Sequence, residues 1–451
     1  MQSNLTKDFL QKITETEPKW MQERRLEALD LYESLPMPHT TDDDVWRRTV
    51  DMRTQDYWRR TRRHLRGFDI DSYQATVESN GNLSGETPSI EDAAAVFSQI
   101  DGQHQHTTIS SEIEEKDVYF ADLHTAVHER EELLRDYFMT RAVTLETTLK
   151  SGNLATTNKL DALHCAFWQG GYLLHVPKGV KVDVPLRAYI KLSKEQQIDL
   201  SHILVIAEEN SEVAILEDNS SSSPDTSGLH CGAVEIFAGQ NSHVTYVQVQ
   251  NWNRQVWNFA SHRAIVSKDA QLNWVTATFG GRLNKLNQAI VLEGAGGNAQ
   301  MLGLAFTDSR QHLDVSTAQE HASPHTSSDL LYRAVLKDRS QTAWGGNIYV
   351  YPEANYTDAY QKNDNLLLSD RAHADTLPGL EIQAHEVRCT HGATAGKIDA
   401  DQVFYLMSRG IPYSQAEKLI VDGFFEPVMD RIPLESVKQE LQGFVSRKLS
   451  T

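Results

Sequence analysis

The segment LEIQAHEVRCTHGAT, residues 380–394, carries the residues best suited to chemistry in this chain. Cys389 and His391 stand two positions apart. If Glu381 to His391 is one strand, alternation sets Gln383, His385, Val387, Cys389 and His391 on a single face. A thiolate and an imidazole are donors that soft or borderline iron sites accept. Two donors are too few to hold a cluster. The pair therefore reads as half of a shared site that another chain completes, or as a packed thiol and a hydrogen-bonded histidine at a strand end. Spacing alone leaves both readings open.

The other candidates are weaker. His321 and His325 are four apart, but Pro324 between them spoils both a helix and a strand. His164 beside Cys165, and His230 beside Cys231, would point to opposite faces of a strand, so structural roles are expected. Cys165, Cys231 and Cys389 are the only cysteines, and there is no CxxC. That excludes a disulfide framework and a self-contained zinc or four-cysteine cluster site. Three reduced thiols fit a cytoplasmic setting. No GxxxxGK[ST] loop is present, and GAGGNA (294–299) lacks the lysine of a phosphate loop. No GxSxG elbow or paired carboxylates stand out.

The elements that would position Cys389 and His391 belong to a β-rich stretch beginning near Leu163. Short runs of Val, Ile, Leu, Tyr and Thr alternate with polar residues there. A small–polar–apolar unit recurs behind a polar turn residue. It appears at Ser211-Glu212-Val213, Ser242-His243-Val244, Ala270-Gln271-Leu272, Ala299-Gln300-Met301, Ser340-Gln341-Thr342 and Ala372-His373-Ala374. A step of about 30 residues filled with short strands predicts a β-solenoid, because one coil cannot bury its apolar face alone. A β-sandwich of evenly spaced hairpins is the competing fold.

Helical spacing marks both ends. Phe9, Leu10, Ile13, Trp20, Met21, Leu26, Leu29 and Tyr32 suggest two helices, the second opened by Pro18 and closed by Pro36 and Pro38. A further helix is expected over 125–149. Near the C-terminus, ADQVFYLMSR ends at Gly410, Ser414–Glu417 reads as a capping box, and a last helix starts near Pro433. The organisation expected is a mainly helical region 1–150, a β-helix core 151–392 and a helical region 393–451.

The formal charge of −19 disfavours nucleic acid and anionic lipid. No apolar run approaches the about 18 residues that span a bilayer. The N-terminal residues resemble neither a signal nor a transit peptide, so a cytoplasmic protein is expected.

EPKWMQERRLEALDLYESLPMP, LHCGAVEIFAG, VRCTHGATAGKID and QVFYLMSRGI together resemble the SufB/SufD family of iron–sulfur cluster assembly proteins. The resemblance covers most of the chain. It lies nearer the SufD side. YQKNDNLL has Asn363 where SufB proteins typically carry a cysteine, LEDNSS has no sulfur, and Cys389 and His391 match the SufD Cys-x-His pair before GAT. The resemblance implies a right-handed parallel β-helix flanked by helical regions. It also implies a non-catalytic scaffold that pairs with a SufB-like paralogue and binds a SufC-type ABC ATPase through its C-terminal helices. Phe404, Tyr405, Arg409, Gly410 and Ile411 would form that docking face. A nascent iron–sulfur cluster or iron, transient and shared with SufB, would use His391 and, less so, Cys389. Reduced flavin on the whole complex, sulfur supply from a cysteine desulfurase through a SufE-type carrier, and a homodimer of the isolated chain are further implications. The rival functions are a carbohydrate-active β-helix enzyme and a purely structural SufD-like partner without metal.

Overall fold

The computed structural model describes residues 5–35, 68–75, 93–145 and 159–450. Pro36, Pro38 and residues 146–149 of the expected 125–149 helix lie outside these segments.

The chain winds as a parallel β-solenoid of about eight turns, with helices at both ends. Two sheets face each other across the interior. One runs from the hairpin Ala95–Ile100/Gln103–Ile109 through strands beginning at Leu186, Glu212, His243, Gln271, Asn298, Ser327 and Asp358 to Arg388–Lys397. The other runs from Tyr119–Asp122 through strands beginning at Gly171, His202, Gly228, Val256, Leu283, His312 and Gln341 to His373–Ile382. Successive coils pair in parallel and in register, so each position forms a row along the solenoid.

The repeat has a backbone cause. Asn210, Asn241, Asp269, Gly296, His325 and Tyr356 all hold positive φ, between 54° and 76°, at one corner of successive coils. Each donates its N–H to a carbonyl of the next coil, as from Asn210 to Gln240 at 2.9 Å and from His325 to Asn355 at 3.0 Å. Asn and Asp tolerate this left-handed conformation better than most side chains. Beyond the corner, apolar residues turn inward. Ile215, Tyr246, Trp274, Met301 and Leu330 stack in one fully buried row.

Helices Lys7–Ile13, Lys19–Ser34 and Lys159–Phe167 cover the outer face of the second sheet near its N-terminal end. Arg25 is buried beneath them. It pairs with Glu17 at 2.5 Å and lies 3.9 Å over the Trp168 ring. The helices Tyr413–Met429 and Glu435–Ser450 bury Val421, Phe425, Val428, Val437, Leu441 and Val445 on the outer face of the first sheet.

Several local expectations change. The segment 93–145 is not purely helical: Ala95–Ile100, Gln103–Ile109 and Tyr119–Asp122 join the two sheets. The helix expected from Thr125 is two short ones, Leu123–Glu129 and Glu131–Tyr137, separated at Arg130. Ser414 caps nothing. The helix starts one residue earlier, at Tyr413, with Pro412 as its N-cap and no side-chain cap bond. Glu381 and His391 do not share a strand, because one strand ends at Ile382 and the next begins at Arg388. Among the described residues no helix is long and apolar enough to cross a membrane.

Candidate functional site

The solenoid's two ends are built differently. At the N-terminal end the first parallel strands are covered by antiparallel ones, Gln103–Ile109 on one sheet and Tyr119–Asp122 on the other. At the C-terminal end His373–Ile382 and Arg388–Lys397 each pair on one side only among the described residues. No further strand among the described residues follows on either outward edge, and such an edge is a template for another strand. Leu380 and Ile382 are 38% and 41% exposed on this rim.

His391 lies in the last rung. Its row is the buried one described above: Leu330 is followed by Gln361, and Gln361 by His391. The row thus changes from apolar to polar in its last two places. Gln361 is fully buried, and its amide donates to the carbonyls of Gly346 at 3.3 Å and Gly379 at 3.0 Å. His391 is exposed, because no further coil covers it. Cys389 is half-buried beside Ala359 and packs at the edge of a small cluster of Ile348, Val350, Ala354 and Ala384. Burial pushes its thiol up, opposed by a hydrogen bond from the Ala359 backbone. The strand is clamped to its neighbour by Arg388 Nε on Asp358 at 3.0 Å and by Thr394 Oγ1 on Asp364 at 2.7 Å.

Cys389 and His391 therefore share one strand face at the open rim, as the spacing requires, although the strand that carries them is shorter at its start than expected. Among the described residues no group of three or more His, Cys, Asp or Glu side chains is placed to hold a metal ion. Asn363 is buried two positions along from Gln361. Its carbonyl accepts from Asn365 at 2.7 Å.

The other histidines and cysteines singled out in the sequence are in structural surroundings. His321 closes bonds of 2.8 Å with Thr326 and Ser328, and burial pushes its ring down to about 3. His325 stacks on Tyr356 at 4.8 Å. His164 and Cys165 lie on a helix, not a strand, and both are buried. His230 bonds Asp199 at 2.7 Å. Burial holds the Cys165 and Cys231 thiols well above their ordinary range.

A second exposed feature lies on the helix Ala400–Ser408. Asp399 caps it, accepting from the N–H groups of Asp401 and Gln402. Gly410 ends it at φ +86°, with the N–H of Gly410 on Met407 and that of Ile411 on Leu406, the paired bonds of a Schellman turn. Only Val403 of this helix is buried. Phe404 is 72% and Tyr405 57% exposed, with the Arg409 guanidinium 5.2 Å over the Tyr405 ring. Met407, Tyr413 and Leu419 are also exposed on this helix and the next. These three, and the rim residues Leu380 and Ile382, were missed by sequence reasoning. Apolar residues at helical or strand spacing look alike in sequence whether they face a core or solvent.

Residues 190–424 match the SufBD core domain of the SUF system for FeS cluster assembly, and residues 3–188 match the SufBD protein N-terminal region. Curated relatives are described as iron–sulfur cluster assembly SufBD family proteins. One from Staphylococcus epidermidis (strain ATCC 12228) is 30% identical, covering 98% of this chain and 94% of its own length. Relatives from Staphylococcus haemolyticus and Staphylococcus aureus are 29% identical with the same coverage. By fold the protein is a parallel β-solenoid with helices at both ends. The chain belongs to the SufBD family of iron–sulfur cluster assembly proteins.

Proposed function

We propose that this chain is the SufD-type scaffold of a Suf assembly complex, and that it lends His391, supported by Cys389, to a nascent cluster completed by a SufB-like paralogue. The observation that carries the reading is the rim. An exposed imidazole ends an otherwise buried row, in the last described strand of the first sheet and beside the last of the second. A second solenoid edge joined there would continue the sheets and bring its own donors beside His391. The cluster is cargo, so a half-site that is complete only in the assembly suits its later release.

The exposed Phe404–Tyr405 patch is the docking face for a SufC-type ABC ATPase in this reading. Nucleotide chemistry then resides on that partner, and the chain itself is a non-catalytic, cytoplasmic scaffold. The test is reconstitution of the complex from purified chains under anaerobic conditions with His391→Ala. Loss of bound iron and sulfide, with the complex still assembling, is expected. Undiminished cluster formation would refute the role of His391.

A further inference from the structure

Beneath the N-terminal helices, on the outer face of the second sheet, three ionisable side chains form one hydrogen-bonded line. His164 Nδ1 lies 2.8 Å from the Cys231 carbonyl, His164 Nε2 lies 3.0 Å from His202 Nδ1, and His202 Nε2 lies 3.0 Å from Glu235 Oε2. All three side chains are essentially excluded from solvent. Glu235 also accepts the backbone N–H of Met139 at 2.9 Å and of Val143 at 2.8 Å. It thereby ties the stretch after helix Glu131–Tyr137 to the solenoid.

The polarity of this line is fixed from one end. A peptide carbonyl only accepts, so His164 Nδ1 carries a proton. A neutral His164 then accepts at Nε2, so His202 donates from Nδ1. A neutral His202 accepts at Nε2, so Glu235 must donate. Three hydrogen bonds need three protons, and two neutral imidazoles supply two. The third sits on Glu235, or on an imidazole facing a Glu235 carboxylate, and the count is the same either way.

We propose that Glu235, His202 and His164 form a proton-dependent latch, which holds residues 138–145 on the solenoid while it keeps its third proton and loosens them when that proton is lost. Without it, one link must set two lone pairs against each other, or a buried carboxylate must stand beside a ring with no proton to give.

The charged surroundings agree. Burial pushes Glu235 up to about 8, outweighing the Met139 and Val143 N–H groups and the Arg24 cation, all of which favour its anion. Burial pushes His202 down to about 3 and His164 well below its ordinary value. Asp161, Cys165, Asp199 and His230 are the other titratable groups around the line. The sign follows. Glu235 is raised above its unfolded value of 4.5, so its contribution is complete below that value and is lost as pH rises through about 8. The histidines act oppositely, but only below their unfolded value of 6.5, so pH 7 to 9 isolates the carboxyl.

The experiment is hydrogen exchange of the Met139 and Val143 amides, corrected for intrinsic rates, in wild type and Glu235→Gln between pH 7 and 9. In wild type, protection should fall about fivefold from pH 7 to 8 and level off near pH 9, about tenfold in all. In Glu235→Gln, whose amide N–H can donate to His202 at every pH while its oxygen still accepts from Val143, protection of Val143 should be flat, and Met139, which loses its acceptor, should be less protected at every pH. Equal slopes in both proteins, or none in wild type, would overturn the proposal. Nitrogen-15 spectra of histidine-labelled wild type give an answer independent of the variant's folding. Two buried Nδ1–H imidazoles are expected at pH 7, and their absence would equally overturn it.

Discussion

Replacing Phe404 by alanine tests the docking face with little disturbance to the fold. Phe404 is 72% exposed on a helix whose buried contact is Val403. Alanine is also the better helix former by about 0.5 kcal/mol, so the melting temperature should hold or rise slightly. A partner that fully covers the ring would remove close to three-quarters of a phenylalanine's area from water. With about 200 Å² per ring and ~25 cal/mol per Å², that is worth at most about 3–4 kcal/mol. Ordering the side chain returns about 0.5–1.5 kcal/mol, leaving a loss of about 2–3 kcal/mol on truncation. This corresponds to a Kd weakened about 30- to 150-fold. Titration calorimetry with the purified ABC-type ATPase, beside a thermal melt of the free chain, measures both quantities. An unchanged Kd would remove Phe404 from the interface. A fall in melting temperature matching any loss of binding would show that the residue supports the fold instead.

Other consequences are as specific. Leu380→Lys with Ile382→Lys places charges on the open rim; sedimentation should show loss of paralogue pairing with an unchanged monomer melt, and intact pairing would put the joint elsewhere. Trp274→Ala empties a fully buried site between Tyr246 and His262 and should cost about 3–5 kcal/mol in urea unfolding. Gly410→Ala forces a Cβ into a left-handed turn and should cost about 1 kcal/mol, read as faster hydrogen exchange in the 400–408 helix. Lys448 bonds Asp308 at 2.7 Å and Gln311 at 2.9 Å. Burial pushes Asp308 up, but Lys448 and Arg254 outweigh it and hold the carboxyl below its usual range. That stability is present above the unfolded value and is lost as pH falls through the lower folded one. Lys448→Met should move acid unfolding to higher pH, as followed by circular dichroism.

The solenoid was legible because its period is written in the corner turns. The turn residues that the sequence reading placed before the six repeats are Asn210, Asn241, Asp269, Asn298, Arg339 and Arg371; the first three adopt the left-handed conformation and the last three do not. The reading lost the frame at its 41-residue step. Ser340 and Ala372 precede strands of the second sheet, whereas Ser211, Ser242 and Ala270 precede strands of the first. The next coil of the first sheet begins instead at Ser327, after the left-handed corner at His325. Similar chemistry in both sheets makes a face change look like an insertion. The hairpin at 95–109 escaped notice because Gln103–Ile109 carries His104 and His106 in a polar run, and only its pairing with Ala95–Ile100 makes it a strand. Ser414 failed as a cap because Pro412 already fixes the start of the helix one residue earlier. The Cys389–His391 pair was legible in spacing, but its exposure was not. Exposure depends on where coil stacking stops, and alternation says nothing of that.

That stopping point explains how an interior position comes to be exposed at the rim. Every inward residue from Ile215 to Gln361 in the His391 row is roofed by the next coil, and each is essentially inaccessible. One more coil would bury His391 as Gln361 is buried, and an imidazole there would need two partners or lose its charge. The chain instead leaves the sheet after Lys397, and Asp399 caps a helix within two residues, so no strand is available to roof the last rung. The rim therefore keeps the register of the core while offering its side chains outward. A donor held this way has its backbone fixed by Arg388–Asp358 and Thr394–Asp364, and its side chain open. Such a donor is preorganised without being complete, which is the physical requirement for a site shared between two chains.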